Sequence, residues 1–147
     1  MHGRLLDRLV RYLSLDVAIE STVWPSLAVG NLMVALATQR HLAYQSIGAL
    51  GIIELTAPGR VAHVAAGLRR LGVPSLERAY FDIHAVLDQK HSLAWNSEIV
   101  APLIDEDPQR ASWIAEGALM RLSGGARCFD HYLEHVSAAD VAVGAGR

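Results

Sequence analysis

The stretch that decides how this chain is read is Tyr80-Phe-Asp-Ile-His84-Ala-Val-Leu-Asp88-Gln-Lys-His91. On an α-helix each residue turns by about 100°. His84 to Asp88 is then roughly 40° past one turn, and His84 to His91 roughly 20° short of two. The three side chains share one face, stacked over two turns. Two imidazoles and a carboxylate on one face form a metal-ligand set, and such nitrogen and oxygen donors suit iron, manganese or zinc. Trp95 falls on the same face one turn on, where it would wall the site from water.

Outward from this stretch the chain reads as helix. Apolar residues recur at three and four, and no alternating strand pattern is present. Leu5, Leu6, Leu9, Val10 and Leu13 make one stripe over residues 3–15. A long, Ala-rich, mostly apolar helix is expected from Pro25 toward Leu55, with proline in its first turn. A third segment, residues 59–71, stops at Gly72 with Pro74 beyond. A fourth opens after Ser75 as N-cap and runs to about Ile104, with a kink or an early end near Val100 because Pro102 lies inside it. A fifth opens at Asp105-Glu-Asp-Pro108, where acidic residues favour a helix N-terminus, and reaches about Val136. The expectation is an all-α, bundle-like single domain of about five helices over residues 1–136, with a flexible tail over 137–147.

Composition narrows the function. The chain has 13 Lys plus Arg against 15 Asp plus Glu, a formal net charge of −2, and a 52% hydrophobic fraction. It can bury a core, and without a basic excess it is not expected to bind nucleic acid. The lone Cys128 precludes an internal disulfide and fits a reducing compartment. No signal peptide is visible, and polar residues interrupt the longest apolar stretch, residues 24–55. A cytoplasmic protein without a membrane partner is expected.

A second helix has to complete the ligand set, and Glu54 is the best candidate. It stands near the end of an apolar helix, where an unpartnered buried carboxylate is costly and a metal cation would relieve it. Bundles that hold two irons use carboxylates and histidines from facing helices in this way. Each half has a plainer reading. Spacings of four and three also arise on a solvated helix face, and a carboxylate near a helix end can reach water. The two features together favour a site.

Other candidates are weaker. His131-Tyr-Leu-Glu134-His135 spells the HxxEH of inverted zinc peptidases but lacks their downstream carboxylate, and reads as accidental. His41 and His63 lack an acidic or histidine neighbour at helical spacing. Cys128 reads as a small buried hydrophobe. Gly124-Gly125 has no phosphate-loop lysine after it.

Gly48-Ala-Leu-Gly-Ile-Ile-Glu54, Ala57-Pro-Gly-Arg60, Gly67-Leu-Arg-Arg-Leu-Gly72, Tyr80-Phe-Asp-Ile-His84, Asp88, His91 and Trp95 together resemble the iron-containing redox enzyme family, the heme-oxygenase-like dimetal oxidases and oxygenases. Gly117-Ala-Leu-Met-Arg-Leu and Phe129 are similar too. The resemblance implies a heme-oxygenase-like helical bundle, present here in part, that holds two non-heme irons in intact members. It implies Glu54, His84, Asp88 and His91 as metal ligands, with His2 at the place of the family's earlier histidine. It implies O2 and a small organic substrate (an amine, amino acid or fatty-acid-like molecule), with Trp95 and Phe81 as pocket residues. The family's first glutamate helix and its next glutamate have no counterpart here, so the chain matches the C-terminal part of the fold. With Glu54 and Asp88 as the carboxylates in hand, one iron, weak binding, or none until a second chain completes the site are all compatible. A non-catalytic helical interaction module and a cofactorless thiamin-degrading relative are the alternatives. Exposed apolar helix faces make a homodimer the expectation.

Overall fold

The computed structural model of the chain describes residues 2–144, with side chains for all of them except 2, 88, 89 and 137–144. Six α-helices are present: α1 His2–Tyr12, α2 Trp24–Thr38, α3 Ala43–Arg70, α4 Ala79–Ala94, α5 Ala101–Glu106 and α6 Arg110–Gly144. A π-helical turn, Trp95–Val100, joins α4 to α5. No strand occurs among the described residues, and the fold is all-α as the periodicity implied. None of the described helices is long and apolar enough to cross a membrane.

The helices group into two compact units, residues 1–17 with 50–111 and residues 18–49 with 112–147. In the first, Leu9 of α1, Leu68 of α3 and Val73 form the buried core, and Phe81 of α4 packs against it. Two reversals bring these residues together. Gly72, at φ +74°, takes the left-handed conformation that glycine adopts without a Cβ penalty. Its N–H donates to the Arg69 carbonyl, and the Val73 N–H to that of Leu68. This paired closure places Val73 on Leu68, the apolar contact that normally accompanies it. Ser14, at φ 52°, closes α1 in the same way through the Arg11 and Val10 carbonyls.

The second unit packs α2 and the start of α3 on α6. Leu36, Ala49 and Ile114 are buried there, and Pro25 is fully enclosed. Gly48 faces the backbone of Ile114, and Gly117 faces that of Gln45, so the two helices meet with no side chain between them. Gln45, itself buried, donates to Glu116 at 3.0 Å, and Tyr44 stacks on Trp113 at 5.7 Å. Ser26 bonds the Tyr132 hydroxyl at 2.5 Å and lies 4.0 Å from Cys128 Sγ.

Several boundaries differ from the expected ones. The helix expected over residues 25–55 breaks at Gln39, whose backbone is extended. Ahead of the break the Thr38 hydroxyl turns back onto the Val34 and Ala35 carbonyls, and the polar Gln39-Arg40-His41 follows. Pro58 does not end a helix but lies inside α3. An interior proline costs about 3 kcal/mol, and the continuing helix offsets this by burying Ala65 and Leu68. Ser75 is not the cap of α4. Helix α4 begins at Ala79, and its N-cap residue is Arg78, which makes no side-chain capping bond. The break expected near Val100 is present, and Pro102 stands in the first turn of the helix α5 that follows it. The wide turn before it ends with the Ala101 N–H on the Asn96 carbonyl, five residues back. Helix α6 continues past Val136 to Gly144; of the expected tail, residues 145–147 lie outside the described residues.

Candidate metal centre

Glu54 lies on α3 and His84 and His91 on α4, all within the first unit. The Glu54 carboxylate and the His91 ring meet across the two helices, with Oε2 3.6 Å from Nδ1. That is too long for a hydrogen bond. Two donors about 2.1 Å from one cation stand about 3 to 3.5 Å apart, so the observed gap is close to what a shared ion needs. The carboxylate is 24% exposed and the imidazole 55%, so the pair sits at a half-open edge that an ion can reach.

His84 is oriented from below. Its Nδ1 lies 2.6 Å from the Tyr80 carbonyl oxygen. A carbonyl only accepts, so Nδ1 carries the proton and the lone pair of the neutral ring is on Nε2. A backbone carbonyl holding one ring nitrogen is the usual support of a metal-binding histidine. The Tyr80 ring also lies on the imidazole, with centroids 4.2 Å apart. Among the described residues no three His, Cys, Asp or Glu side chains converge. Glu54 with His91 is therefore the pair that the described side chains bring together, with His84 set in place by Tyr80. The side chains of Asp88 and His2 lie outside the described residues.

Trp95 is the first residue of the π turn, directly beyond the ligand-bearing helix. Its indole lies on Gly51, where a Cβ would fall 2.8 Å from Cδ1. The indole N–H is buried and makes no hydrogen bond among the described residues. A π turn is a frequent companion of functional sites, because the extra residue re-aims the side chains that follow. The sequence offered only Pro102 as a sign of it. Phe81 belongs to the core around Leu9, Leu68 and Val73. Asp82, the other acidic residue of α4, is engaged by Arg78 at 2.8 Å and by Arg69 at 3.9 Å.

The HxxEH segment builds no metal cluster. Among the described residues, none of its acidic or histidine groups joins a set of three.

A mixed imidazole and carboxylate set between adjacent helices of an all-α protein is the donor chemistry of iron sites in helical bundles. The model of one family matches this chain, that of the iron-containing redox enzymes, over residues 1–126. The chain belongs to that family. No curated protein and no solved structure matches it.

Proposed function

We propose that this protein is a non-heme iron oxidase or oxygenase that uses O2 on a small organic substrate, with Glu54, His84, Asp88, His91 and His2 as the iron ligands. The meeting of Glu54 and His91 at 3.6 Å across two helices, in a member of an iron-containing redox family, carries this reading. Bound iron supplies the one-electron chemistry that lets O2 react. The chain's own residues do the rest. Glu54 and Asp88 contribute negative charge to offset the cation, and Tyr80 fixes the tautomer of His84. The Trp95 indole offers a buried N–H donor and an apolar wall beside the ligands, suited to positioning a polar group of the substrate and to excluding water.

Iron analysis after anaerobic ferrous loading and desalting tests the proposal. The wild-type chain should retain at least one iron, and the count separates a one-iron from a two-iron centre. Glu54→Ala and His91→Ala should each weaken retention by about tenfold or more, with unchanged far-UV circular dichroism. A wild-type chain that retains none, or a double variant that retains as much as wild type, would overturn it.

A further inference from the structure

Helix α6 carries a second pattern that the metal centre does not use. Ala115, Leu119, Leu122, Ala126, Phe129, Leu133 and Val136 follow one another at alternating steps of four and three, a strict seven-residue repeat over three turns of seven. Every one of them is exposed. Leu119 is 62%, Leu133 66%, Val136 58%, Phe129 53% and Leu122 42% exposed. The buried face of the same helix, with Ile114, Gly117, Gly125 and Cys128, lies about 110° further round and packs within the second unit. One helix therefore has two apolar faces, and its own unit covers only one.

We propose that this seam pairs with the α6 seam of a second copy, making a two-helix coiled-coil dimer. Three observations select a second copy. A 3–4 repeat closes on another helix with the same repeat, and two identical seams are complementary about a two-fold axis. The exposed side chains leave roughly 600 Å² of apolar surface per chain, at the upper end for a monomer. Two copies would close about 1,200 Å², the size at which specific interfaces begin. The charges also permit it. No charged residue lies in the seam. Of the flanking positions, Glu116 and Asp130 are acidic on one side, while Ala118 and Tyr132 are uncharged on the other. In a parallel pair each acidic flank meets an uncharged one. A groove of about 670 Å³ borders the seam on its α2 side, lined by Leu32, Ala115, Leu119 and Met120, with room for a partner's flanking side chains. The seam runs ten residues beyond the part of the chain that the family model covers.

Sedimentation equilibrium of the full chain from 1 to 50 µM, about the range of ordinary interface affinities, tests the proposal. The wild type should be dimeric at the upper end. Leu119→Glu with Leu133→Glu should be monomeric with unchanged helicity, and Val34→Glu, exposed on α2 outside the seam, should stay dimeric. A second measurement does not depend on that double variant folding. Ala126→Cys, at the middle of the seam, should give a disulfide-linked dimer on mild oxidation, whereas the wild type with Cys128 alone should not. A monomeric wild type, a dimer that survives both glutamates, or an Ala126→Cys chain that does not cross-link would overturn it.

Discussion

Gly117→Ala adds one methyl group at the point where α3 and α6 touch backbone to backbone. The new Cβ would lie 2.5 Å from the Gln45 carbonyl carbon and 2.6 Å from its Cα. Ordinary carbon contacts begin near 3.5 Å, so the helices must part by about 1 Å. No rotamer change relieves this, because the atoms met are main chain. Overpacking of this kind costs about 1–3 kcal/mol. Parting the helices also strains the Gln45–Glu116 hydrogen bond and the Tyr44–Trp113 stack, which together contribute about 1–3 kcal/mol. Alanine returns about 1 kcal/mol of helix propensity. The net loss is about 1–5 kcal/mol, or roughly 3–15 °C in Tm for a chain of this size. Gly48→Ala, which meets Ile114 from the other side, should behave alike. Gly30→Ala has nothing within 4 Å and should instead gain about 0.5–1 kcal/mol. Thermal melts followed at 222 nm read all three. A Gly117→Ala chain that melts with the wild type or above it refutes the close approach.

Two further outcomes are expected. Arg78→Ala removes the bond from Nη1 to the Val73 carbonyl at 2.6 Å and the ion pair with Asp82, both partly buried, and should lower stability by about 1–2 kcal/mol in urea titration. Pro58→Ala restores the N–H that an α-helix donates to the carbonyl four residues back, here that of Glu54, and should raise stability by about 1–2 kcal/mol while reducing iron retention. Equal or better retention in that variant would show that the proline does not set the carboxylate.

Much of this architecture was legible because it rests on local chemistry. Gly72 stops α3 where glycine accommodates the left-handed backbone, and the apolar stripe of the first segment included Leu9, which is core. Spacing alone brought His84 and His91 onto one helix, and the position of Glu54 on an apolar helix singled it out before its 3.6 Å approach to His91 was visible. The boundaries that were misread depend on partners distant in sequence. Whether Pro58 ends a helix is decided by what Ala65 and Leu68 bury beyond it. Whether Ser75 caps α4 is decided by Arg78, whose guanidinium folds back onto Val73 and pairs with Asp82. The backbone contact through Gly48 and Gly117 leaves only small residues as its trace in the sequence, and these are equally common in ordinary helix interiors.

Each of the two helices that carry the candidate ligands has an irregularity within it or at its end. On α3, Pro58 cannot donate to the Glu54 carbonyl, so the turn holding the carboxylate lacks one closing bond. On α4, the regular helix gives way to the π turn at Trp95, four residues after His91. A proline inside a helix and a π turn each reduce the stability of an isolated helix. Where local rules are broken without a local gain, a function or a packing contact elsewhere has to compensate. The packing found at these points is modest. Glu54 and His91 are both partly exposed, and the Trp95 N–H is buried without a hydrogen bond among the described residues. A cation bound by Glu54 and His91 would compensate for the two irregular turns. Iron loading should therefore raise Tm in the wild type and raise it less in Glu54→Ala, because only binding to the folded state stabilises it. Equal shifts in the two chains would mean that the irregular turns serve the fold rather than a metal.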